Sequence, residues 1–296
     1  MSKNAKIWTA LVTVYIIWGS TYLGIFYAGQ TIPPLFAAST RFITSGTLMT
    51  LFVVFVRRGS LRVPRREVLS CMLIGILLPG ANSVLFFAER NVPTGLASLI
   101  IASVPLWVMV LRLGVGRERL PWQVLAGVGV GFAGVAVLAQ PSGGATASGI
   151  ALVVLSALMW STGSFLSSHL PMPADPFAAT AIEMLTGGFA MLPLALFTVH
   201  HFSPSTTSII GWIYLVSFGS IIGYTAYVWL LANAPLGLVS TYAYVNPVVA
   251  ITLGVIFRGE SVTWRLLIGA VIVVVAVATV VRREPPSANI SEEGVR

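Results

Sequence analysis

From residue 7 to residue 281 the chain is a string of apolar stretches, each roughly 20 residues long, separated by short gaps that hold proline, glycine and arginine. A membrane selects that length. The hydrocarbon core is about 30 Å thick, and a helix rising about 1.5 Å per residue crosses it in about 20 residues. Lipid supplies no hydrogen-bond partners, so a segment inside it must satisfy its own backbone, as a helix does. Ten stretches qualify, at residues 7–28, 34–56, 68–89, 94–112, 122–139, 149–168, 176–199, 208–231, 237–256 and 265–281. The pattern predicts an all-α integral membrane protein of ten transmembrane helices. Composition closes off the main alternative. Hydrophobic residues make up 56% of the chain and charged residues 9%, against roughly 25% charged in a soluble globular protein. A large soluble α/β enzyme with this sequence would have no wettable surface.

The few charges set the topology. The formal charge is +8, which in a soluble protein points to nucleic acid. Here the basic residues lie in the gaps, so no nucleic-acid partner is expected and the lipid bilayer is the partner. With the N-terminus in the cytoplasm, the cytoplasmic set is Lys3, Lys6, Arg57, Arg58, Arg62, Arg65, Arg66, Arg112, Arg117, Arg119, Arg282, Arg283 and Arg296, against Arg90, Arg258 and Arg265 outside. That bias predicts both termini in the cytoplasm. The first stretch is too long for a signal-peptide core and no A-x-A site ends it, so it reads as a retained helix. Residues 284–296 are polar and read as a disordered cytoplasmic tail. Cys71 is the single cysteine, and His169, His200 and His201 lie in connecting segments. No disulfide framework, metal site, cofactor site or catalytic constellation is expected.

The chain repeats itself. Trp18-Gly-Ser-Thr matches Trp160-Ser-Thr-Gly, and the same ungapped offset pairs Pro34 with Pro176, Gly46 with Gly188, Pro93 with Pro235, and Gly95 with Gly237. It also pairs Ser98 with Ser240, Pro105 with Pro247, Glu118 with Glu260, Trp122 with Trp264, and Gly127 with Gly269. Proline, tryptophan and glutamate rarely match in register by chance. Each copy holds five helices, residues 1–141 and 142–283. An odd number makes the second copy enter the membrane upside down. Inverted repeats of this kind build secondary transporters, with the substrate near the midplane between the halves.

The same offset places Arg41 opposite Glu183, two charges deep inside apolar runs. An arginine at the centre of a spanning helix costs about 2.5–3.5 kcal/mol on insertion scales. In one reading the pair belongs to a polar path through the centre and touches a zwitterionic substrate. In a second, Glu183 titrates and couples transport to protons. In the plainest, each snorkels to its own interface or caps a neighbouring helix. Inverted symmetry puts the two on opposite sides of the midplane, which favours the plain reading: the pair serves assembly more than chemistry. Glu89 stands with Asn82 and Phe86 on one helix face, which either lines a cavity or places an interfacial acid beside Arg90.

Further candidates are aromatic. The first helix offers Tyr15, Trp18 and Tyr22; its repeat partner offers Trp160 and Ser164. The eighth brings Tyr224 and Tyr227, and the ninth brings Ser240, Tyr244 and Asn246. Tyrosine and tryptophan combine an apolar body with a polar handle. As a set they suit a cavity for an amphipathic organic solute; singly, each is ordinary packing or an interfacial belt. Pro105 and Pro247 are expected to break the fourth and ninth helices. Glu118 and Glu260, each just before a helix, read as structural acids at helix N-termini. Gly129-Val-Gly131-Phe-Ala-Gly134 copies a dinucleotide fingerprint but lacks the preceding strand and the following acid. With Gly127 it reads instead as small residues for close helix packing.

The stretch YIIWGSTY at 15–22, the Pro-x6-Arg-Phe pattern from Pro34 to Arg41-Phe42, GRERL at 116–120 and YVNP at 244–247 resemble the drug/metabolite transporter superfamily. The resemblance is to its ten-helix EamA-type exporters, and within them to YddG-like amino-acid exporters, over residues 8–281. It implies two inverted five-helix repeats around a central cavity, with helices five and ten outside it, and export of amino acids or other small metabolites across the bacterial inner membrane. The expected function is therefore an alternating-access exporter of such solutes. The runner-up is a multidrug or cation exporter that uses Glu183 or Glu89. A passive channel is a further option, and a membrane-embedded enzyme lacks both a metal set and a nucleophile with a base. A monomer suffices for the expected function, and the sequence names no oligomeric state.

Overall fold

A computed structural model describes residues 2–57, 62–118, 120–138, 145–199 and 202–282. The expected tail at 284–296 lies outside the described residues. The described residues form helices and no strand. They are α1 (Lys3–Ala28), α2 (Pro34–Val56), α3 (Arg65–Ala88), α4 (Thr94–Ile101), α5 (Val104–Gly114) and α6 (Trp122–Leu138). The second half gives α7 (Ala147–Ser167), α8 (Pro176–Phe197), α9 (Thr206–Asn233), α10 (Leu236–Val239), α11 (Tyr242–Arg258) and α12 (Trp264–Arg282). Seven of the described units are long and apolar enough to cross a membrane, counting α4 with α5 as one; α6, α11 and α12 are shorter apolar helices.

Local chemistry starts and stops these helices. Ser2, Thr146 and Ser205 cap α1, α7 and α9, each hydroxyl accepting a backbone N–H three residues on, and Asp175 caps α8 ahead of Pro176. Such caps satisfy N–H groups that have no partner inside the helix. Proline supplies the N-cap of α2, α3, α4 and α10. Gly259, in the left-handed region at φ 64°, ends α11, a conformation that costs a residue without Cβ nothing.

The two expected helix breaks exist, the first just ahead of Pro105, whose missing N–H and ring exclude a continuous helix through Ile101, and the second not at Pro247 but six residues before it. The chain interrupts at Ala102–Ser103 and at Ser240–Thr241. Pro105 is the second residue of α5, where its missing N–H is no loss, and Pro247 lies inside α11. Hydroxyls hold the breaks together. Ser103 donates to the Ile100 carbonyl at 2.6 Å, Thr241 to Leu238 at 2.6 Å, and Tyr15 shares a short hydrogen bond with Thr241. The backbone also widens into π-type turns at Phe52–Val56 and Leu215–Tyr224.

The most extensive helix contact is α2 on α8, followed by α3 on α7, α6 on α12 and α3 on α8; α1 packs on α11 and α9. Without a hydrophobic drive between helices in lipid, small residues that permit close approach hold such interfaces. A Cβ on Gly187 would stand 2.4 Å from the Gly75 carbonyl oxygen and 2.4 Å from Pro79 Cβ, and one on Gly75 would stand 2.4 Å from the Glu183 carbonyl oxygen. The fingerprint-like glycines of α6 do the same work: Gly131 packs on Leu106 and Ala276, and Gly134 on Ile272. Gly129 faces open space. Large apolar side chains such as Ile16, Phe55, Phe189, Phe197, Ile210 and Val271 remain exposed around the helices, as a lipid-facing surface requires. Gly187→Leu should destabilise the fold by about 1–3 kcal/mol through overpacking, read as a lower melting temperature and a smaller monodisperse fraction in detergent. A neutral result would show that α3 and α8 part easily.

Candidate substrate site

Seven helices converge on a small central cavity. Its wall holds Trp18, Thr21 and Tyr22 from α1, Arg41 and Phe42 from α2, Asn82 and Leu85 from α3, and Ile101 from α4. Ser156 and Trp160 come from α7, Gly219 and Tyr224 from α9, and Tyr242 and Asn246 from α11. No described residue of α6 or α12 lines it, since those helices lie against each other at the periphery. The open volume is about 50 Å³. That admits a few water molecules and falls well below the roughly 300–1,000 Å³ of small-molecule pockets. In this conformation the site is contracted.

An aromatic box forms one side. Trp18 meets Trp160 edge-on with ring centres 5.2 Å apart, Tyr227 at 4.8 Å and Tyr242 at 5.4 Å. Trp160 in turn meets Tyr227 at 5.4 Å. These are the offset and edge geometries that ring quadrupoles favour. Trp18 Nε1 donates to the Gly219 carbonyl at 3.2 Å, and Tyr227 pairs with Ser164 at 2.6 Å. Trp160 Nε1 and the Tyr242 hydroxyl are buried without a hydrogen-bond partner among the described residues. Nearly all buried polar groups in folded proteins are satisfied; these two lie in one wall, each beside the Tyr227 ring.

The two intramembrane charges do not pair with each other, and neither snorkels. Arg41 is 2% exposed and Glu183 is 1% exposed. Arg41 Nε donates to Ser220 Oγ at 2.7 Å and Nη1 to Asn82 Oδ1 at 2.9 Å, while Glu183 Oε2 accepts from the Tyr224 hydroxyl at 2.7 Å. Ser220 and Tyr224 are four residues apart on the wide-turn segment of α9, so one stretch of backbone holds both charges. Arg41 is in the cavity wall. Glu183 stands behind it, screened by Tyr224.

The face Asn82–Phe86–Glu89 points inward but divides. Asn82 is in the central wall, whereas Phe86 and Glu89 line a second cavity of about 240 Å³ with Ile25, Phe26, Gly29, Gln30, Arg90 and Arg258. Glu89 is 5% exposed, and neither carboxyl oxygen has a hydrogen-bond partner among the described residues. This cavity lies at the end of the molecule where α1 and α3 finish, beside a set of bonds that joins the two halves. Glu260 accepts the N–H groups of Thr94 and Gly95 at 3.0 and 3.1 Å and pairs with Arg258, which stacks over the Phe26 ring at 3.7 Å and donates to Thr94. So Glu260 is structural, as expected, but it caps α4 from the other half rather than the helix that follows it. Glu118 pairs with Arg112 instead, at 2.6 Å. At the opposite end a wide apolar cleft of about 800 Å³ opens between α1, α2, α8 and α9, with Lys6, Phe52, Phe177 and Trp229 in its walls.

The remaining candidates lie around the box. Tyr15 and Ser240 sit at the α10–α11 break. Asn246 lies against the Tyr15 and Tyr242 carbonyls, which its amide nitrogen reaches at 3.0 and 3.3 Å when turned toward them. Tyr244 is in α11, its side chain outside the described residues. Sequence reasoning missed Tyr242. It chose Tyr244 with the expected break placed at Pro247, whereas the interruption falls at 240–241 and Tyr242 and Asn246, four apart, line the cavity.

Two halves of the chain, residues 6–140 and 147–282, each match the model of the EamA-like transporter family. The chain belongs to that family and is a membrane transporter. Over 282 residues it is 35% identical to the Escherichia coli K12 protein described as "Uncharacterized inner membrane transporter YedA", covering 91% of this chain and 89% of that one. It is 27% identical over 277 residues to a "Probable amino-acid metabolite efflux pump" of Salmonella typhimurium, covering 88% and 89%. A solved crystal structure, 21% identical, superposes with a TM-score of 0.67 over 94% of this chain and 96% of that one, and shares the fold.

Glu260→Ala, which removes the acceptor for two helix N–H groups, should cost about 0.5–2 kcal/mol, and Glu260→Gln less. Thermal unfolding of the purified variants in detergent measures both; equal losses would mean that the charge alone matters.

Proposed function

We propose that this protein is an alternating-access exporter of amino acids or similar small amphipathic metabolites across the bacterial inner membrane. In this reading ten transmembrane helices form two inverted five-helix repeats, residues 1–141 and 142–283, with both termini cytoplasmic. One observation carries it: a central cavity with an aromatic wall and unpartnered polar atoms, with the cross-half Glu260 tie at one end of the molecule and a wide apolar cleft at the other. A carrier facing one side has this asymmetry, whereas a channel needs a continuous path. With the N-terminus in the cytoplasm, the cleft faces the side from which an exporter loads. The helix contacts support the inverted repeat. α2 with α8, and α6 with α12, are repeat partners of each other, as a two-fold axis between the halves requires. The Salmonella relative supports the substrate class.

Proteoliposomes preloaded with one unlabelled amino acid at a time, and followed for labelled entry, test the proposal. Saturable counterflow with part of the panel is expected. Trp18→Ala and Trp160→Ala should each lower it about two- to tenfold, the scale of one lost aromatic contact. Folded protein that moves no member of the panel would sink the amino-acid reading. A second reading, a cation or multidrug exporter, draws on the buried, unpartnered Glu89. It loses its basis if a Glu89→Gln/Glu183→Gln double variant still confers cation resistance.

A further inference from the structure

We infer that Arg41 is the anion-binding residue of the central cavity, and that the transported solute presents a carboxylate to it. This rests on the reading of that cavity as the transport site and narrows the solute to one chemical class.

The charge balance around the residue points this way. A guanidinium stays charged in proteins and carries five N–H donors in a planar fork. Two described partners take one each, Ser220 Oγ and Asn82 Oδ1. Both are neutral. The ion pairs among the described residues join Arg57 to Asp175, Arg112 to Glu118 and Arg258 to Glu260, and none involves Arg41. The acid expected opposite it, Glu183, is turned to Tyr224 instead. A full positive charge therefore stands 2% exposed in the middle of an apolar helical protein without a counter-ion. A buried charge is costly unless paired and hydrogen-bonded, so the fold is incomplete in charge at this point.

Position points to more than a structural role. The guanidinium lies 4.9 Å over the Phe42 ring and Nη2 packs beside Gly219, yet the residue also forms part of the cavity wall with Tyr22, Trp160 and Tyr242. Its spare donors match a carboxylate in geometry, because two parallel N–H groups can meet two oxygens. Its single charge fits a monoanion; a doubly charged phosphate would leave one charge unmatched, with no second cation in the wall. The orphan Trp160 Nε1 and Tyr242 hydroxyl lie in the same wall for a second polar group, and the rings face an apolar body. Ser220 and Asn82 then act as positioning residues that fix the plane of the fork.

The test compares amino acids with their own amides and N-acetyl derivatives. The amide keeps the amine and side chain but loses the carboxylate; the N-acetyl form keeps the carboxylate and loses the amine charge. Each is offered as the preloaded exchange partner in proteoliposomes, and as a ligand in thermal-shift assays of the detergent-purified protein. Amino acids and N-acetyl forms should drive exchange and raise the melting temperature, and amides should do neither. Arg41→Lys should bind the same carboxylates about 10–100-fold more weakly, the scale of a lost charge-assisted hydrogen bond. Arg41→Gln removes the charge but can also fail to fold, so the deciding variant is Asn82→Asp. It keeps the arginine and its bond to the third helix, places a fixed anion on the fork, and should abolish carboxylate exchange in a protein at least as thermostable as the parent. Amides moving as well as acids, or Asn82→Asp exchanging normally, would overturn the inference while leaving the carrier reading intact. Exchange with none of the three classes would overturn both.

Discussion

A polar group surrounded by hydrocarbon has no water to bond, and leaving it unpaired costs several kcal/mol. The architecture follows from that constraint. It makes every described element a helix, and it governs the places where helices are interrupted. At 102–103 and 240–241 the Ser103 and Thr241 hydroxyls add a second bond to the Ile100 and Leu238 carbonyls, which already close the turn by accepting the backbone N–H of the same residues, and Tyr15 is recruited from α1 to the second break. On α9 the wide turn at Leu215–Tyr224 sets Ser220 and Tyr224 where they meet the two buried charges of α2 and α8. Helix packing without a hydrophobic drive then depends on backbones coming close, which Gly75, Gly187, Gly46 and Gly188 allow.

Against so strict a rule the exceptions stand out. Trp160 Nε1, the Tyr242 hydroxyl and the uncompensated Arg41 lie in the wall of one cavity, and the unpartnered Glu89 lines the next. Trp107 Nε1 and the Thr180 and Thr225 hydroxyls are likewise unpartnered outside that wall, so what sets the central cavity apart is that aromatic rings, polar handles and a buried charge meet in it.

The two ends of the molecule differ although the sequence halves match. Glu260 reaches across to the α4 N-terminus and is held by Arg258, whereas its repeat counterpart Glu118 stays with Arg112 inside its own half. Residues equivalent in sequence therefore hold different bonds. A pseudo-symmetric carrier can differ in this way without a difference in composition: its two halves need only occupy different states.

Most of the architecture was legible without coordinates because the physics behind it is local. Run length reports bilayer thickness, and an ungapped offset survives in prolines, tryptophans and glutamates. From these came the helices and the inverted-repeat expectation. Of the site, Trp18, Tyr22, Arg41, Asn82, Trp160, Tyr224 and Asn246 were legible as polar or aromatic faces inside apolar helices. The sequence could not decide contacts between distant segments. The offset suggested that Arg41 and Glu183 belong together, yet tertiary packing gave each a neutral partner on α9, because a symmetry relation is not a distance. It also could not see that the ninth helix restarts at Tyr242, since that break lies at Ser240–Thr241, where Thr241 turns the chain and bonds to Tyr15 of the first helix, and not at the proline six residues on. Periodicity determined which residues face inward; only the packed helices decided which of them meet, and which were left without a partner.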